Sequence, residues 1–187
     1  PKLMLAQIPI PNAMAYGTPI SGNRIAVTSG LMQTLDSGEV EAVVGHELGH
    51  LKGRDPLYLF ALTSGEFVLR LTVFLPFFLF SPFLYLLVAL TIVYFIAKFF
   101  ETRADLLSAM KIGKPQALAE SLMKIGFRKL QYERIPSYRL RGWLSWDPHP
   151  PTYFRIRSLE QMKGPPNVRH PLIRSARDVF GGYKAAL

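Results

Sequence analysis

The chain has 187 residues, a formal net charge of +9, 49% apolar residues and no cysteine. The absence of cysteine excludes disulfide bridges and metal sites built from thiolates. The length predicts a single domain over residues 1–187. The excess of Lys and Arg is compatible with binding to nucleic acid, with binding to an anionic membrane surface, or with a role in solubility alone. No pattern typical of RNA- or DNA-binding domains occurs, so we expect no nucleic-acid partner.

Two short strands are predicted near the start of the chain. Residues 13–17 and 24–28 have the composition of strands, and Pro19 with the run 21–23 supplies turn chemistry between them. The sequence therefore predicts a β-hairpin.

The next element is a helix that carries the sharpest motif in the chain. Asp36 and Glu39 have the spacing of a capping box, and His46-Glu47-Leu48-Gly49-His50 follows about two turns later. Positions i and i+4 share one face of a helix, so both imidazoles can bind the same metal ion. Glu47 is then placed to accept a proton from water that the metal holds.

A long apolar stretch comes next. Between residues 71 and 100 the only charged residue is Lys98, and this length and composition are typical of a membrane segment. Pro76 and Pro82 interrupt it. Two arrangements are compatible with the pattern: one long span, or a membrane-inserted helical hairpin over about residues 60–100.

The charges on either side favour the hairpin. Lys52 and Arg54 precede the apolar stretch, and its end carries the cations Lys98, Arg103, Lys111 and Lys114. Under the positive-inside rule both ends lie on the cytoplasmic face, which requires an even number of crossings or a re-entrant loop. We therefore expect a multi-pass protein of the cell membrane with its site on the cytoplasmic side. Within the first limb, Glu66 and Arg70 are predicted to pair.

Beyond the apolar stretch the pattern is mostly helical. Residues 104–112 continue the second limb, residues 115–130 form an amphipathic helix, residues 131–151 are irregular, and residues 152–163 form a further short helix. The predicted fold class is mainly α with a small β-hairpin or sheet, an α+β fold.

Two histidines do not complete a catalytic zinc site, which needs a third protein ligand. His149, His170 and several carboxylates are candidates. Glu101 and Asp105 stand one helical turn apart just beyond the apolar stretch, so Glu101 can bind the metal while Asp105 accepts a hydrogen bond from a ligand histidine. The alternative is that both are ordinary charges at the membrane edge. A hairpin would return Glu101 to the side of the histidines, which favours the first interpretation.

The order of these motifs resembles a known family. The sequence HELGH at residues 46–50, an apolar insertion and ETRAD at residues 101–105 are similar to the HtpX and Ste24-type membrane metalloproteases. Three further stretches resemble the same family: residues 11–15, residues 25–31, which resemble its edge strand, and residues 147–151. The resemblance spans about residues 8–160.

The resemblance implies a zincin-like core with an inserted transmembrane hairpin and an endopeptidase activity. It implies one Zn²⁺ per chain, held by His46, His50 and Glu101. It also implies that Asp105 supports a ligand histidine, that His149 stabilises the oxyanion and that Arg155 supports the site. Because this family has further membrane helices upstream, and because the chain opens with Pro1 and not Met, we expect N-terminal membrane helices outside this segment.

The expected partners are a lipid bilayer and a peptide substrate bound as an added strand. The residues assigned to substrate binding are Asn12, Ala13, Ile25, Ala26 and Val27. The alternative is a hairpin with a structural role alone. The expected function is quality control of misfolded or membrane proteins. A CAAX-type prenyl protease and a non-enzymatic, metal-stabilised membrane module are the alternatives, and the sequence predicts no oligomeric state.

Overall fold

The structure is a computed structural model that describes residues 1–18 and 22–187. The strands are β1 (Lys2–Ala6), β2 (Ala13–Thr18) and β3 (Gly22–Thr28). The helices are α1 (Ser29–Thr34), α2 (Ser37–Gly53), α3 (Asp55–Thr72), α4 (Leu75–Phe80), α5 (Pro82–Ile112), α6 (Pro115–Ile125), α7 (Phe127–Glu133), α8 (Pro136–Leu144), α9 (Thr152–Glu160) and α10 (Pro171–Lys184). The predicted class, mainly helical with a small sheet, is confirmed.

The three strands form one sheet in the order β1-β3-β2. The predicted hairpin is confirmed, because β2 pairs antiparallel with β3 and Ala13 lies opposite Val27. The predicted turn residues Pro19 and Ser21 lie outside the described residues. The sequence did not predict β1, which pairs in parallel with β3. Its side chains are largely exposed, so the strand lacks the apolar alternation that marks a half-buried strand.

Helix α2 begins as its sequence predicts. The Asp36 side chain accepts a hydrogen bond from the Glu39 amide, and the Glu39 side chain accepts one from the Asp36 amide, each at 2.9 Å. This capping box satisfies amide groups that the first turn of a helix leaves unpaired. The helix ends at Gly53, and the next residue, Arg54, has a left-handed backbone with φ of 56°. That turn sets the direction in which α3 leaves.

The apolar stretch forms a helical hairpin and not one continuous helix. Helices α3 and α5 lie against each other and are joined by the short helix α4. The rings of Tyr58 and Phe100 stack at the base of the hairpin, with centroids 6.0 Å apart. The predicted pair of Glu66 and Arg70 forms at 3.5 Å. Among the described residues, α5 alone has the length and apolarity to cross a membrane.

Helix α5 passes very close to α2, and this contact positions the site. A Cβ atom added to Gly49 would lie 3.0 Å from both the Cα and the carbonyl oxygen of Ala104, a tight contact that would require the two helices to move slightly apart. One turn away, the Ser108 hydroxyl donates a hydrogen bond of 2.8 Å to the Ala42 carbonyl. The close packing brings the part of α5 that follows the apolar stretch against the motif helix.

The hydrophobic core lies beneath this helix pair. It is built from β3 and helices α1, α2, α5, α6 and α9. Its buried members are Ile25, Val27, Leu31, Leu35, Ala42, Val43, Ala109, Leu118, Ala119, Ile156 and Leu159.

Two predictions for the C-terminal half need correction. The single helix expected over residues 115–130 is divided at Gly126 into α6 and α7. The segment 131–151, expected to be irregular, contains α8, because Pro136 occupies the first turn of that helix, where proline is well tolerated. Trp143 in α8 is completely buried.

Candidate metal centre

Three side chains from two helices converge in the structure. The Nε2 atoms of His46 and His50 lie 3.1 Å apart. Glu101 Oε1 lies 3.3 Å from His50 Nε2, and Glu101 Oε2 lies 3.5 Å from His46 Nε2. Zinc–ligand bonds of about 2.0–2.1 Å in a tetrahedral site place ligand atoms roughly 3.3 Å apart. The three side chains therefore have the spacing that one zinc ion requires.

The polar environment of these side chains also fits a cation. Glu101 Oε2 is buried, and the nearest nitrogen atoms, on His46, His149 and Arg155, lie 3.5–3.7 Å away. A buried carboxylate oxygen with no closer donor is available to bind a metal ion. Burial lowers the pKa of His46, but the hydrogen bond and charge of Asp105 outweigh burial, and the pKa is raised. The pocket thus attracts positive charge, which a divalent ion supplies in place of a proton.

A carboxylate contacts Nδ1 of each of the two histidines, on the side of the ring away from the other ligands. Asp105 Oδ1 lies 2.8 Å from Nδ1 of His46, as the sequence suggested. Asp55 Oδ2 lies 2.8 Å from Nδ1 of His50, and Asp55 is only 1% exposed. Such contacts fix the tautomer and turn Nε2 towards a metal. The sequence analysis missed Asp55; its available signal was an acid just past the end of the motif helix and five residues after His50.

Asp105 is in turn held by Arg155. The guanidinium of Arg155 donates two hydrogen bonds, from Nε at 2.8 Å and from Nη2 at 2.7 Å, to the two oxygens of Asp105. Burial raises the pKa of Asp105, but the charge and hydrogen bonds of Arg155 and the bond from His46 outweigh burial and lower the pKa to about 2. Asp105 is therefore ionised near neutral pH. Arg155 Nη1 also lies 3.7 Å from Glu101 Oε2.

His149 reaches the same cluster from a loop. Its Nε2 lies 3.5 Å from Glu101 Oε2, and its side chain is 49% exposed. Asp147 accepts hydrogen bonds from the His149 amide at 2.9 Å and from Nδ1 at 2.8 Å. The loop is anchored by Lys98, which is fully buried and donates to the carbonyl oxygens of Ser145 and Asp147. The sequence suggested only a membrane-end charge for Lys98. By contrast, His170 is exposed and lies outside the cluster.

Glu47 stands next to His46 on α2 and is 9% exposed. Burial lowers the pKa of His50, but the contact with Glu101 and the charges of Glu101 and Glu47 outweigh burial and raise the pKa, so the Glu47 carboxylate lies near the cluster. The structure therefore brings together seven residues that the sequence analysis selected: His46, Glu47, His50, Glu101, Asp105, His149 and Arg155.

The predicted substrate strand is partly wrong. Ile25, Ala26 and Val27 lie in β3, which is the central strand and is hydrogen-bonded on both sides. A peptide cannot pair with a strand whose two edges are occupied. Asn12 and Ala13 belong to the other strand of the hairpin. Asn12 precedes β2 and is tied by its backbone to Thr28, and β2 is an edge strand of the described sheet.

We expect Asp55→Asn to weaken zinc binding by about 10- to 100-fold, because the neutral amide holds His50 less firmly than a carboxylate. The measurement is zinc affinity by competition with a chromophoric chelator. Asp178→Asn on α10, where the carboxylate pairs with Arg174 at the surface, serves as the control and should leave the affinity unchanged. Equal affinities in both variants would exclude the role of Asp55.

The sequence was also compared with known protein families and with individual proteins. The sequence model of Peptidase family M48 matches residues 2–163. The chain belongs to Peptidase family M48. A Protease HtpX homolog of Gemmatimonas aurantiaca is 30% identical over 197 residues, which covers 87% of this chain and 69% of that relative. No solved structure matches the chain at a significant level.

Two further relatives carry the name Protease HtpX homolog. A Protease HtpX homolog of Thermoplasma acidophilum is 52% identical over 62 residues, which is 33% of this chain and 20% of the relative. That of Tropheryma whipplei (strain Twist) is 30% identical over 197 residues, or 87% of this chain and 66% of the relative. The strongest matches thus span about one fifth of the relatives' length, and the longer ones span about two thirds. Membership of M48 implies a metal, and the His-His-Glu cluster offers the ligands for one.

Proposed function

We propose that this chain is the catalytic part of a membrane-bound, zinc-dependent endopeptidase with a zincin-like core. One observation carries the proposal: Glu101 meets the two imidazoles of the motif helix at the spacing of a zinc site, with Glu47 beside them. Membership of M48 and similarity to proteins named Protease HtpX homolog support the same conclusion. His46, His50 and Glu101 would hold one zinc ion per chain.

The residues around the cluster then have defined tasks. When bound, zinc would polarise the scissile carbonyl and lower the pKa of a water molecule to roughly 7. Glu47 would accept a proton from the attacking water and deliver it to the leaving amine. His149, partly exposed and held by Asp147, would donate a hydrogen bond to the developing oxyanion, an effect of about 3–4 kcal/mol. Asp105 and Arg155 would hold His46 and Glu101 in place.

The substrate is proposed to bind as an extended strand along β2. Asn12 and Ala13 stand at the start of this edge strand, and α2 packs against β2. Backbone pairing of this kind tolerates many sequences, which suits an enzyme that removes misfolded or membrane proteins. The helical hairpin is proposed to insert in the cell membrane with the metal centre on the cytoplasmic side, since Lys52, Arg54 and Arg103 flank its base.

The test is metal-dependent cleavage of an unfolded protein. We expect the purified chain in mild detergent to cleave casein, to lose this activity after dialysis against a chelator, and to regain it with one equivalent of Zn²⁺. Absence of hydrolysis in the zinc-loaded protein would contradict the proposal. A prenylated C-terminal peptide assayed in parallel separates the two enzymatic alternatives, because a CAAX-type protease would cleave the peptide and leave casein intact.

A further inference from the structure

A second polar site lies on the side of α2 and α5 that faces α10. It is a cleft of about 340 Å³ between the end of α2, the C-terminal third of α5 and the first turn of α10. Its polar side chains are those of Lys52, Arg103, Arg169 and His170. No carboxylate lines it. None of these four residues was assigned to the metal centre or to catalysis.

Of the three cationic side chains in this cleft, Arg103 is ion-paired with Asp55, whereas the charges of Lys52 and Arg169 are not neutralised within the described residues. Lys52 and Arg169 are exposed, and neither forms an ion pair within residues 1–18 and 22–187. Arg103 is 8% exposed. Its Nη2 contacts Asp55 and the Gly53 carbonyl, but its Nε is buried without a hydrogen-bond partner. A buried, unpaired donor of this kind is costly unless an acceptor approaches it.

The first turn of α10 adds further donors to the same cleft. Pro171, Leu172 and Ile173 line it, and no side chain caps this helix end. The amides of the first turn of a helix have no partner within the helix, and the helix dipole favours negative charge there. Three cationic side chains and an uncapped helix N-terminus therefore line one space.

We propose that this cleft binds a phosphate group. In proteins, phosphate oxygens commonly accept hydrogen bonds from Arg and Lys side chains and from free amides at helix N-termini. The volume accommodates a phosphate with a small substituent, such as a glycerol headgroup. The cleft adjoins the base of the apolar hairpin, where Tyr58 stacks on Phe100, so the phosphate of an anionic lipid headgroup and a free phosphate are the two sources.

The same residues connect the cleft to the metal centre. Arg103 contacts Asp55, and Asp55 contacts Nδ1 of His50. A phosphate group in the cleft would share Arg103 with Asp55. The binding itself does not depend on the proposed proteolytic function.

The experiment compares two variants with the same change of charge. Lys52→Ala/Arg169→Ala removes two cleft cations, and Arg177→Ala/Lys184→Ala removes two exposed cations elsewhere on α10. Metal-free protein in neutral detergent is titrated with inorganic phosphate, dioctanoyl phosphatidylglycerol and dioctanoyl phosphatidylcholine by calorimetry. We expect the cleft variant to lose at least tenfold in affinity for the anionic probe, because each cation near an anionic headgroup contributes about 1 kcal/mol, and the control to change less than twofold.

The different probes identify the source of the phosphate group, and the variants test whether it binds in the cleft. If phosphatidylglycerol binds and inorganic phosphate does not, the ligand is a lipid headgroup. If inorganic phosphate binds and displaces phosphatidylglycerol, the cleft also accepts a free phosphate. The exchanged variant Lys52→Arg/Arg169→Lys should retain binding, which separates loss of charge from loss of fold. The proposal is overturned if neither anionic probe binds the wild-type chain, or if the cleft and control variants lose equal affinity. Because no step requires hydrolysis, an inactive protein would not affect the result.

Discussion

Glu47→Gln is expected to lower the rate of casein cleavage by about 10³-fold while zinc remains bound. General-base catalysis contributes 10²- to 10⁴-fold in enzymes, and the amide cannot accept the proton of the attacking water. Zinc content should stay near one per chain, because the converging ligand atoms belong to His46, His50 and Glu101. The measurements are kcat for casein and zinc by mass spectrometry on the same preparations.

The matched control is Glu41→Gln on the same helix. Glu41 is exposed and pairs with Lys114 at the surface, and surface pairs contribute little to stability. This variant should retain full activity. If Glu47→Gln still cleaved casein, the proposed mechanism would be wrong. The non-enzymatic alternative makes a separate prediction: Glu47→Gln would leave function intact, whereas His46→Ala would destroy the fold.

The parts of the site that follow from local geometry were predictable from the sequence. His46 and His50 share a face because four residues make one turn of a helix, and Asp36 and Glu39 start that helix by contacts three residues apart. The position of Glu101 is not local. It was predicted from the charges at both ends of the apolar stretch, which require the chain to return to the same side, and from the resemblance of residues 101–105 to the HtpX and Ste24-type family.

The parts that were missed depend on contacts that sequence patterns do not encode. Asp55 reaches His50 because Arg54 adopts a left-handed backbone and turns the chain back. The parallel pairing of β1 places β3 in the centre of the sheet and thereby removes Ile25, Ala26 and Val27 from the substrate edge. Non-local strand pairing of this kind carries little signal in the segment itself.

The second large effect concerns the third ligand. Glu101→Ala is expected to reduce zinc affinity by more than 100-fold and to abolish casein cleavage. Loss of a residue that only supports a ligand costs about 10- to 100-fold, and removal of the ligand itself must exceed that range. Glu120→Ala, an exposed carboxylate on α6, removes the same charge and side chain away from the cluster and should leave both quantities unchanged.

The electrostatics of the cluster make this test specific to ligation. In the wild-type chain, burial raises the pKa of Glu101, but hydrogen bonds with His46 and His50 and the charge of His149 outweigh burial and hold the pKa well below its usual range. Glu101 is therefore ionised wherever zinc can bind. Glu101→Gln keeps the size of the side chain and removes this charge, so it should lose zinc in the same way without leaving a cavity. If Glu101→Ala and Glu101→Gln both bound zinc as tightly as the wild type, another carboxylate or His149 would have to be the third ligand.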